Sequence, residues 1–310
     1  MPSVLGLERR GQRGLTAARE GNLFVADFTL PGFDLDCFVA ATLAEDLGLG
    51  LPGGGHDVTS ESVIPADARF SGVMDSRDAI VVAGLPIAAA FFRSLDPDMA
   101  IEVLAGEGEA VAAGSDLMRL SGDARAMLTA ERSALNTVQH LSGIATMTRH
   151  YVEAMRGKGI LLDTRKTIPG LRRLEKYATR QGGAQNHRMG LWDAAMIKDN
   201  HVAVAGGVGE AVRRARAAGV ARIICEVDSL AQIEPALSAG ASHLLLDNMS
   251  VAQLREAVAL VAGRVPCEAS GGVRLDTIGA IAATGVDYVS VGRLTQSAPA
   301  ADIGLDFAVL

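Results

Sequence analysis

The chain has 310 residues, of which 49% are hydrophobic and 21% charged, and its formal net charge is −7. This composition supplies ample apolar surface for a core and excludes a disordered or collagen-like chain, and at about 150 residues per domain the length suggests two domains. The longest uncharged apolar run, residues 79–92, is interrupted by Gly84 and Pro86 and is shorter than the ~20 residues that a membrane span needs.

The first thirty residues contain four arginines, at positions 9, 10, 13 and 19, and no apolar segment follows them. We therefore expect a variable arm over residues 1–30 rather than a secretory signal. The three cysteines, Cys37, Cys225 and Cys267, are too few and too scattered for a disulfide framework or a zinc site. This cysteine usage predicts a reducing, cytoplasmic location.

The next segment mixes helices with short strands. Turn residues and caps predict a helix over residues 34–47, a Gly/Pro-rich loop over 48–55, a helix over 85–95, and strands over 70–74, 79–82, 101–104 and 116–120. The stretch 106–122 resembles the hairpins of lipoyl- and biotin-carrier domains, but it has no lysine for the carried group, so we interpret it as scaffold. A long helix follows over 124–156, with Gly143 as a candidate break.

From residue 159 onward, strand-like runs alternate with amphipathic helices. The strands end at Asp163, Ile197, Val227, Leu246, Ala269 and Val291. The helices are predicted over 171–180, 210–218, 230–239, 251–261 and 276–283. This alternation indicates a parallel sheet, and six units are too few for an eight-fold barrel.

We therefore predict an α/β fold: a partial, six-stranded α/β barrel preceded by an α+β sandwich domain, with an open doubly wound sheet as the alternative. The predicted limits are 31–158 for the sandwich domain with its linking helix and 159–293 for the barrel. The tail, 294–310, is expected to return to the N-terminal domain.

A basic island interrupts the acidic chain. Residues 158–201 contain nine Lys or Arg and four acids, and all four lysines of the chain (158, 166, 176 and 198) lie there. Such an island predicts a local anion site rather than a nucleic-acid-binding face. Because the chain uses arginine elsewhere, these lysines are candidates for roles that need a compact point charge or a tunable pKa.

Polar residues follow every strand of the repeating units, and in α/β barrels the chemistry lies at the carboxyl ends of the strands. Arg165 and Arg188 offer planar forks for carboxylates, and Lys166 and Lys198 offer point charges for a polyphosphate. His187 is compatible with either an ordinary hydrogen-bonded loop histidine or a catalytic one.

The later strand ends add acidic residues and glycines. Glu226 and Asp247 are on neighbouring strands and could hold Mg²⁺ or sugar hydroxyls, or serve only as caps or surface charges. Ser270, Gly271 and Gly272 offer backbone N–H groups that suit a phosphate, although a tight turn alone would also use them. Together these residue types predict a site for highly anionic substrates.

Five motifs at this rim carry a family resemblance: LDTRKTIPG at 162–170, NHRMG at 186–190, IKDNH at 197–201, LDNM at 246–249 and EASGG at 268–272. They resemble the quinolinate phosphoribosyltransferases. The likeness extends to AEDLG at 44–48, DVT at 57–59, TAERSALN at 129–136, GVDYVSVG at 285–292 and SAP at 297–299. It therefore covers most of the chain.

The resemblance implies transfer of phosphoribose from phosphoribosyl pyrophosphate to quinolinate with Mg²⁺, followed by loss of CO2, in NAD biosynthesis. It implies a homodimer in which Arg132 reaches the pocket of the partner subunit. It assigns catalytic roles to Lys166, Lys198, Glu226 and Asp247, the last two also toward the metal. The implied substrate-binding set is Arg132, Thr164, Arg165, Lys166, His187, Arg188, Lys198, Glu226, Asp247, Ser270, Gly271, Gly272, Val291 and Gly292.

Within that set, Arg165, Arg188 and His187 would face the quinolinate carboxylates, and Ser270, Gly271 and Gly292 would hold the 5′-phosphate. Two residues depart from the family pattern, since Arg293 and Gln296 replace a small residue and a histidine beside the phosphate end. The loop 49–56 is also longer than the family pattern.

Other functions compete with this interpretation. A paralogue on the same scaffold could use another anionic ring, as in molybdenum uptake, and a lyase could form a Schiff base at Lys198. A non-catalytic protein could bind phosphoribosyl compounds without turnover. A nucleic-acid binder is disfavoured because the chain is acidic and lacks interleaved basic and aromatic residues.

Overall fold

A computed structural model of the chain describes residues 28–309, so residues 1–27 of the predicted arm lie outside it. Its helices are α1 Leu35–Asp46, α2 Val58–Val63, α3 Leu85–Leu95, α4 Ala124–Ala154, α5 Arg172–Gln181, α6 Asp199–Ala205, α7 Val208–Ala217, α8 Ile233–Ala239, α9 Val251–Val261, α10 Leu275–Ala282 and α11 Arg293–Gln296. Its strands are β1 Arg69–Ser76, β2 Ile80–Val81, β3 Ala100–Val103, β4 Ala110–Val111, β5 Ser115–Asp123, β6 Ile160–Leu162, β7 Ala195–Ile197, β8 Ile223–Val227, β9 His243–Asp247, β10 Cys267–Ser270, β11 Tyr288–Ser290 and β12 Ile303–Val309. None of the described helices is long and apolar enough to cross a membrane.

The N-terminal part is built on an antiparallel sheet in the order β12-β1-β5-β3, with β2 and β4 as a separate pair. One apolar core lies on this sheet, and it is formed with side chains from helices α1 and α3 and from the apolar face of α4. Strand β12, from the end of the chain, pairs with β1 from Phe70 opposite Val309 to Ser76 opposite Ile303. The last strand thus lies beside the first.

Aspartates begin three of the N-terminal helices. The side chains of Asp34, Asp57 and Asp123 each accept a hydrogen bond from the backbone N–H three residues later, at 2.8–2.9 Å, which satisfies a donor that the first helical turn leaves free. Asp57 also accepts from the Thr129 hydroxyl at 3.0 Å and so ties α2 to α4. Helix α2 was not among the elements expected from the sequence.

Helix α4 continues through Gly143, so the expected break is wrong. A Cβ atom at this position would lie 2.0 Å from the backbone oxygen of Pro299. The glycine therefore permits a close approach of the segment after α11 to the helix, rather than a bend in the helix.

Strands β6 to β11 form one parallel sheet in the order β6-β11-β10-β9-β8-β7. Each strand from β7 onward pairs with its successor, and β11 pairs back to β6. This is the order of a six-stranded barrel that is open between its first two strands, where one isolated bridge joins Leu162 to Gln185. The predicted fold class is confirmed and the doubly wound alternative is wrong, whereas the predicted domain limits stay predictions.

Alternation along the strands decides which side chains reach the inside of the barrel. In β9, Leu244 and Leu246 pack outward in the core formed with the surrounding helices, whereas Leu245 belongs to a small separate cluster with Ala194 and Ile224. Inward-facing positions at the carboxyl ends of the strands therefore converge on one opening.

Candidate active site

The carboxyl ends of the barrel strands surround a cavity of about 870 Å³. Its walls come from the segment after β6, from the segment between α5 and β7, and from the carboxyl ends of β7 to β11 with the segments that follow them. They consist of Thr164, Arg165, Lys166, His187, Arg188, Met196, Lys198, Glu226, Leu245, Asp247, Asn248, Glu268, Ser270, Gly271, Gly272, Val273, Arg274, Ser290, Val291, Gly292, Arg293 and Gln296. Every site residue expected from the sequence lies here except Arg132.

Arg132 lies on α4 with an exposed side chain, 4.0 Å from the carboxylate of Glu131. It lines a different groove of about 420 Å³, together with residues that include Asp46, His140 and Ile168. Within one chain, Arg132 therefore does not reach the barrel cavity.

Two guanidinium groups lie at one end of the cavity. Arg188 is buried and donates from Nη1 to the carbonyl oxygen of Ala194 at 3.2 Å. The Nε of Arg165 is buried and has no hydrogen-bond partner among the described residues. Burial and the positive charge of Arg165 both lower the pKa of Arg188. Such a pair favours the binding of an anion, which can accept a hydrogen bond from the free N–H group of Arg165 and compensate both positive charges.

A lysine and two carboxylates follow on the next strands. The Lys198 ammonium donates to Glu226 at 2.7 Å, and Asp247 accepts from the side chain of Asn248 at 2.6 Å. Burial and the nearby negative charge of Glu226 raise the pKa of Asp247. This cluster can bind hydroxyl groups and cations, and its lysine can stabilise a leaving anion.

Glycines line the cavity after β10 and β11. Gly271 and Gly272 both have positive φ, and a Cβ atom on Gly271 would lie 2.1 Å from the side-chain oxygen of Asn248. Space beside Gly272 is open, whereas a Cβ atom on Gly292 would lie 2.7 Å from Cδ of Lys166. The bare backbone after β11 thus lies against the side chain of Lys166, and the backbone after β10 offers further N–H groups, an arrangement that suits phosphate oxygens.

A buried hub fixes the segments that carry the arginines. Asp163, directly after β6, forms a short ion pair with Lys176 and accepts from Thr179 at 3.0 Å, Asn186 at 2.6 Å and the backbone N–H of His187 at 2.8 Å. Burial raises the pKa of Asp163 and lowers that of Lys176. The contacts of Lys176 with Asp163 and with the carbonyl oxygen of His187 make it part of the hub, and Lys158 is exposed away from the cavity, so two of the four lysines are not at the site.

One acid in the cavity was not among the residues expected from the sequence. Glu268 is fully buried in β10, and its carboxylate lies 3.1 Å from Nε2 of His187 and 2.9 Å from Nε2 of His243. A charged residue in the middle of a four-residue buried strand is the signal that could have identified it, because such residues are almost never buried without partners.

The described residues contain no cluster of three or more His, Cys, Asp or Glu side chains that could hold a metal ion alone. Glu226 and Asp247 remain a pair of carboxylates on adjacent strands, with one negative charge already compensated by Lys198. Mg²⁺ commonly binds to one or two carboxylates and to substrate phosphates. The pair fits a metal ion that arrives with a polyphosphate.

Comparison with known proteins places these features in a family. Models of the N-terminal and C-terminal domains of quinolinate phosphoribosyl transferase match residues 57–142 and 144–306. The nicotinate-nucleotide pyrophosphorylase [carboxylating] of Mycobacterium leprae is 44% identical over 276 residues, 86% of this chain and 95% of that protein. A probable enzyme of the same name from Synechocystis is 41% identical, covering 89% and 93% of the two chains. The crystal structure of NadC from Streptococcus pyogenes superposes with a TM-score of 0.86 at 38% identity, over 92% of this chain and all of that one.

Proposed function

The chain belongs to the quinolinate phosphoribosyltransferase family, and from this premise we propose how its cavity residues carry out the reaction. It is a pentosyltransferase, a nicotinate-nucleotide pyrophosphorylase (carboxylating). It transfers phosphoribose from phosphoribosyl pyrophosphate to the ring nitrogen of quinolinate and releases pyrophosphate, CO2 and nicotinate mononucleotide, a step of NAD biosynthesis.

The quinolinate site is assigned from a buried N–H group that has no hydrogen-bond partner among the described residues and belongs to one of two neighbouring guanidinium groups. Arg165 has a buried Nε without a partner, and Arg188 is buried beside it. Quinolinate carries two adjacent carboxylates, which can accept from both guanidinium groups and remove their repulsion. We place the pyridine ring at this end of the cavity.

Phosphoribosyl pyrophosphate then extends toward the glycines. Glu226 and Asp247 accept from the ribose hydroxyls, and the backbone at Ser270–Gly272 and Gly292 holds the 5′-phosphate. Thr164 and Val291 complete the walls. Lys166 and Lys198 contact the pyrophosphate and the reacting centre, where the compact ammonium groups stabilise the departing anion.

Two steps follow from this placement. The bond from the ribose C1 to the pyrophosphate oxygen breaks as the ring nitrogen attacks, and the developing ribosyl cation is stabilised by the carboxylates beneath it. The bond from C2 to its carboxylate then breaks, CO2 leaves, and the electron pair on C2 takes up a proton. The positive pyridinium nitrogen adjacent to C2 stabilises that pair.

We propose that Glu226 and Asp247 would hold Mg²⁺, directly or through water. The bound ion would supply positive charge that favours departure of the pyrophosphate. We also propose a homodimer in which Arg132 completes the cavity of the partner subunit, since among residues 28–309 its exposed guanidinium has only a weak ion pair, with Glu131 at 4.0 Å. A cytoplasmic location is supported by the three free cysteines.

The Schiff-base alternative is disfavoured because the Lys198 nitrogen, the atom that would attack a carbonyl group, is held by the carboxylate of Glu226 at 2.7 Å. Among the described residues, no feature favours a non-catalytic role.

The arginine assignment is tested by Arg165→Gln. This variant should raise the KM for quinolinate by about a hundredfold or more, since losing a charge-assisted bidentate contact costs roughly 3 kcal/mol. The KM for phosphoribosyl pyrophosphate should change by less than about threefold. Arg119→Gln is the matched control, because Arg119 forms only exposed ion pairs on β5. Equal effects on both substrates would contradict the assignment.

A further inference from the structure

Helix α11 presents two polar side chains to the barrel cavity. Leu294 and Thr295 are buried and hold the helix in place, and the Thr295 hydroxyl donates to the carbonyl oxygen of Lys166 at 2.7 Å. The other two residues of the helix, Arg293 and Gln296, are exposed and line the cavity. Because residues three apart lie on the same face of a helix, the guanidinium and the amide lie side by side at the cavity wall.

Arg293 brings a positive charge to the cavity that the chain itself does not compensate. Among residues 28–309, neither its guanidinium nor the Gln296 amide has a hydrogen bond or an ion pair. Arg274 also lines the cavity, but its guanidinium is paired with Asp276 at 3.1 and 3.2 Å. The Arg293 guanidinium therefore has all its N–H donors available to an anion that enters the cavity.

The lysines of the cavity lie near its carboxylates. Burial and Glu226 raise the pKa of Asp247, and the positive charges of Lys198 and Lys166 oppose that rise. In the function proposed above, both lysines contact the pyrophosphate and the reacting centre. The 5′-phosphate is held there by backbone N–H groups alone, although a phosphate monoester carries about −1.5 to −2 charges at pH 7. A further cation beside the glycines would compensate this charge.

Arg293 also borders a second cavity, which has a volume of about 760 Å³. That cavity is lined largely by apolar side chains, such as those of Ile80 and Met147, and it contains the carboxylates of Asp78 and Asp276. Negative charge on its wall disfavours a second anion there. The barrel cavity combines the guanidinium with the backbone N–H groups of glycines, so it is the more favourable of the two for a phosphate.

We propose that Arg293 and Gln296 bind the 5′-phosphate of phosphoribosyl pyrophosphate, as side-chain partners to the backbone N–H groups of the glycines. The proposal rests on the function proposed above, and neither residue belongs to the set of site residues that the family resemblance implies. The guanidinium donates from a planar fork and compensates charge, and the amide adds a neutral donor beside it. The two side chains thus favour a substrate that carries a 5′-phosphate.

Calorimetric titration of the full chain with two probes, each in the presence of Mg²⁺, tests this assignment. Ribose 5-phosphate carries the 5′-phosphate without the pyrophosphate, and inorganic pyrophosphate lacks the sugar and its phosphate. In Arg293→Gln the Kd for ribose 5-phosphate should rise about tenfold or more, because a charge-assisted hydrogen bond is lost. The Kd for pyrophosphate should stay within about twofold. Gln296→Ala removes a neutral donor and should raise the Kd for ribose 5-phosphate about threefold.

Two further variants serve as controls. Arg293→Lys keeps the charge but loses the planar fork, so its Kd for ribose 5-phosphate should rise only about threefold. Arg222→Gln removes the same charge from an exposed arginine directly before β8, at the amino end of the barrel and away from the cavity. Both Kd values should stay within about twofold in this variant. A loss as large as in Arg293→Gln would indicate a general effect of net charge and overturn the proposal.

An unchanged Kd for ribose 5-phosphate in Arg293→Gln, or an equal or larger rise for pyrophosphate, would also overturn the proposal. If Arg293→Gln does not fold, Gln296→Ala decides, and an unchanged Kd for ribose 5-phosphate in that variant would refute the assignment. In steady-state kinetics, Arg293→Gln should raise the KM for phosphoribosyl pyrophosphate about tenfold and leave the KM for quinolinate within about twofold. A wild type that binds ribose 5-phosphate but does not convert quinolinate would instead refute the function proposed above.

Discussion

Replacing Lys176 by Met should remove the only cation of the buried hub after β6. Lys176 is fully buried and contacts Asp163 and the carbonyl oxygen of His187. Removal of one partner from a buried ion pair typically costs 3–5 kcal/mol, since the other charge stays buried. Asp163 keeps three donors, at 2.6–3.0 Å, so we expect a loss of about 3 kcal/mol, at the lower end of that range. This is a large share of the roughly 5–15 kcal/mol of a typical native protein.

Urea unfolding followed by circular dichroism measures the loss of stability as a lower midpoint with an unchanged slope. Lys158→Met is the matched control, since this lysine is exposed, and it should change the unfolding free energy by less than about 0.5 kcal/mol. The KM for quinolinate should also rise in Lys176→Met, because the hub fixes the segments that carry both arginines. A loss below about 1 kcal/mol would refute the argument that Lys176 stabilises a buried anion.

Four further outcomes are expected. Lys166→Arg and Lys198→Arg should each lower kcat severely despite the retained charge, because Lys166 packs against Gly292 and both positions need the slimmer ammonium group. Near wild-type kcat and KM in both variants would contradict the requirement for lysine. Nicotinate, with one carboxylate, should have a kcat/KM at least about a hundredfold lower than quinolinate, since a buried guanidinium loses its partner; comparable values for the two acids would reject it. Arg132→Ala and Lys198→Ala should each be nearly inactive, and after subunit exchange their mixture should recover about a quarter of wild-type activity. An active Arg132→Ala variant would show that this residue does not belong to the site. If exchange is confirmed and no activity returns, both residues serve the site of the same subunit. The folded chain lowers the pKa of Glu268 from 4.5 to about 2, so this group contributes stability that is fully present above pH ~4.5 and is lost as the pH falls toward ~2. The difference in unfolding free energy between wild type and Glu268→Gln should therefore narrow by about 2 kcal/mol from pH ~6 to pH ~3. A difference that stays constant over this pH range would contradict an ionised Glu268 in the folded chain.

Periodicity and turn residues were sufficient to predict the frame of the molecule. Gly84 and Pro86 define the start of α3, and its observed range, Leu85–Leu95, is the predicted one. The strands of the repeating units likewise end within about a residue of their predicted ends. Because these parallel strands share one direction, the polar residues that follow them were predicted to meet, and the structure brings them together in one cavity.

Short helices with unusual caps were harder to predict. Helix α6 begins after Lys198, whose backbone N–H donates to Nδ1 of His201 at 2.9 Å. A histidine that caps a helix lacks the Ser/Asp pattern on which a sequence-based prediction depends. His201 therefore has a local structural role, although its motif lies next to the site.

The role of a charged residue depends on contacts that spacing alone does not reveal. Lys166 and Lys176 lie in the same basic island, yet one lines the cavity and the other is buried against Asp163. Glu268 faces inward on the same side of β10 as Ser270, and this alternation could have placed it at the site. Its histidine partners come from segments far away in sequence, so their convergence required the fold.

The most direct test of the account is the conversion of quinolinate labelled in its 2-carboxylate, with phosphoribosyl pyrophosphate and Mg²⁺. We predict one labelled CO2 and one pyrophosphate for each nicotinate mononucleotide formed, and no product without the metal ion. Formation of nicotinate mononucleotide without labelled CO2, or the absence of any pyrophosphate release from quinolinate, would contradict it.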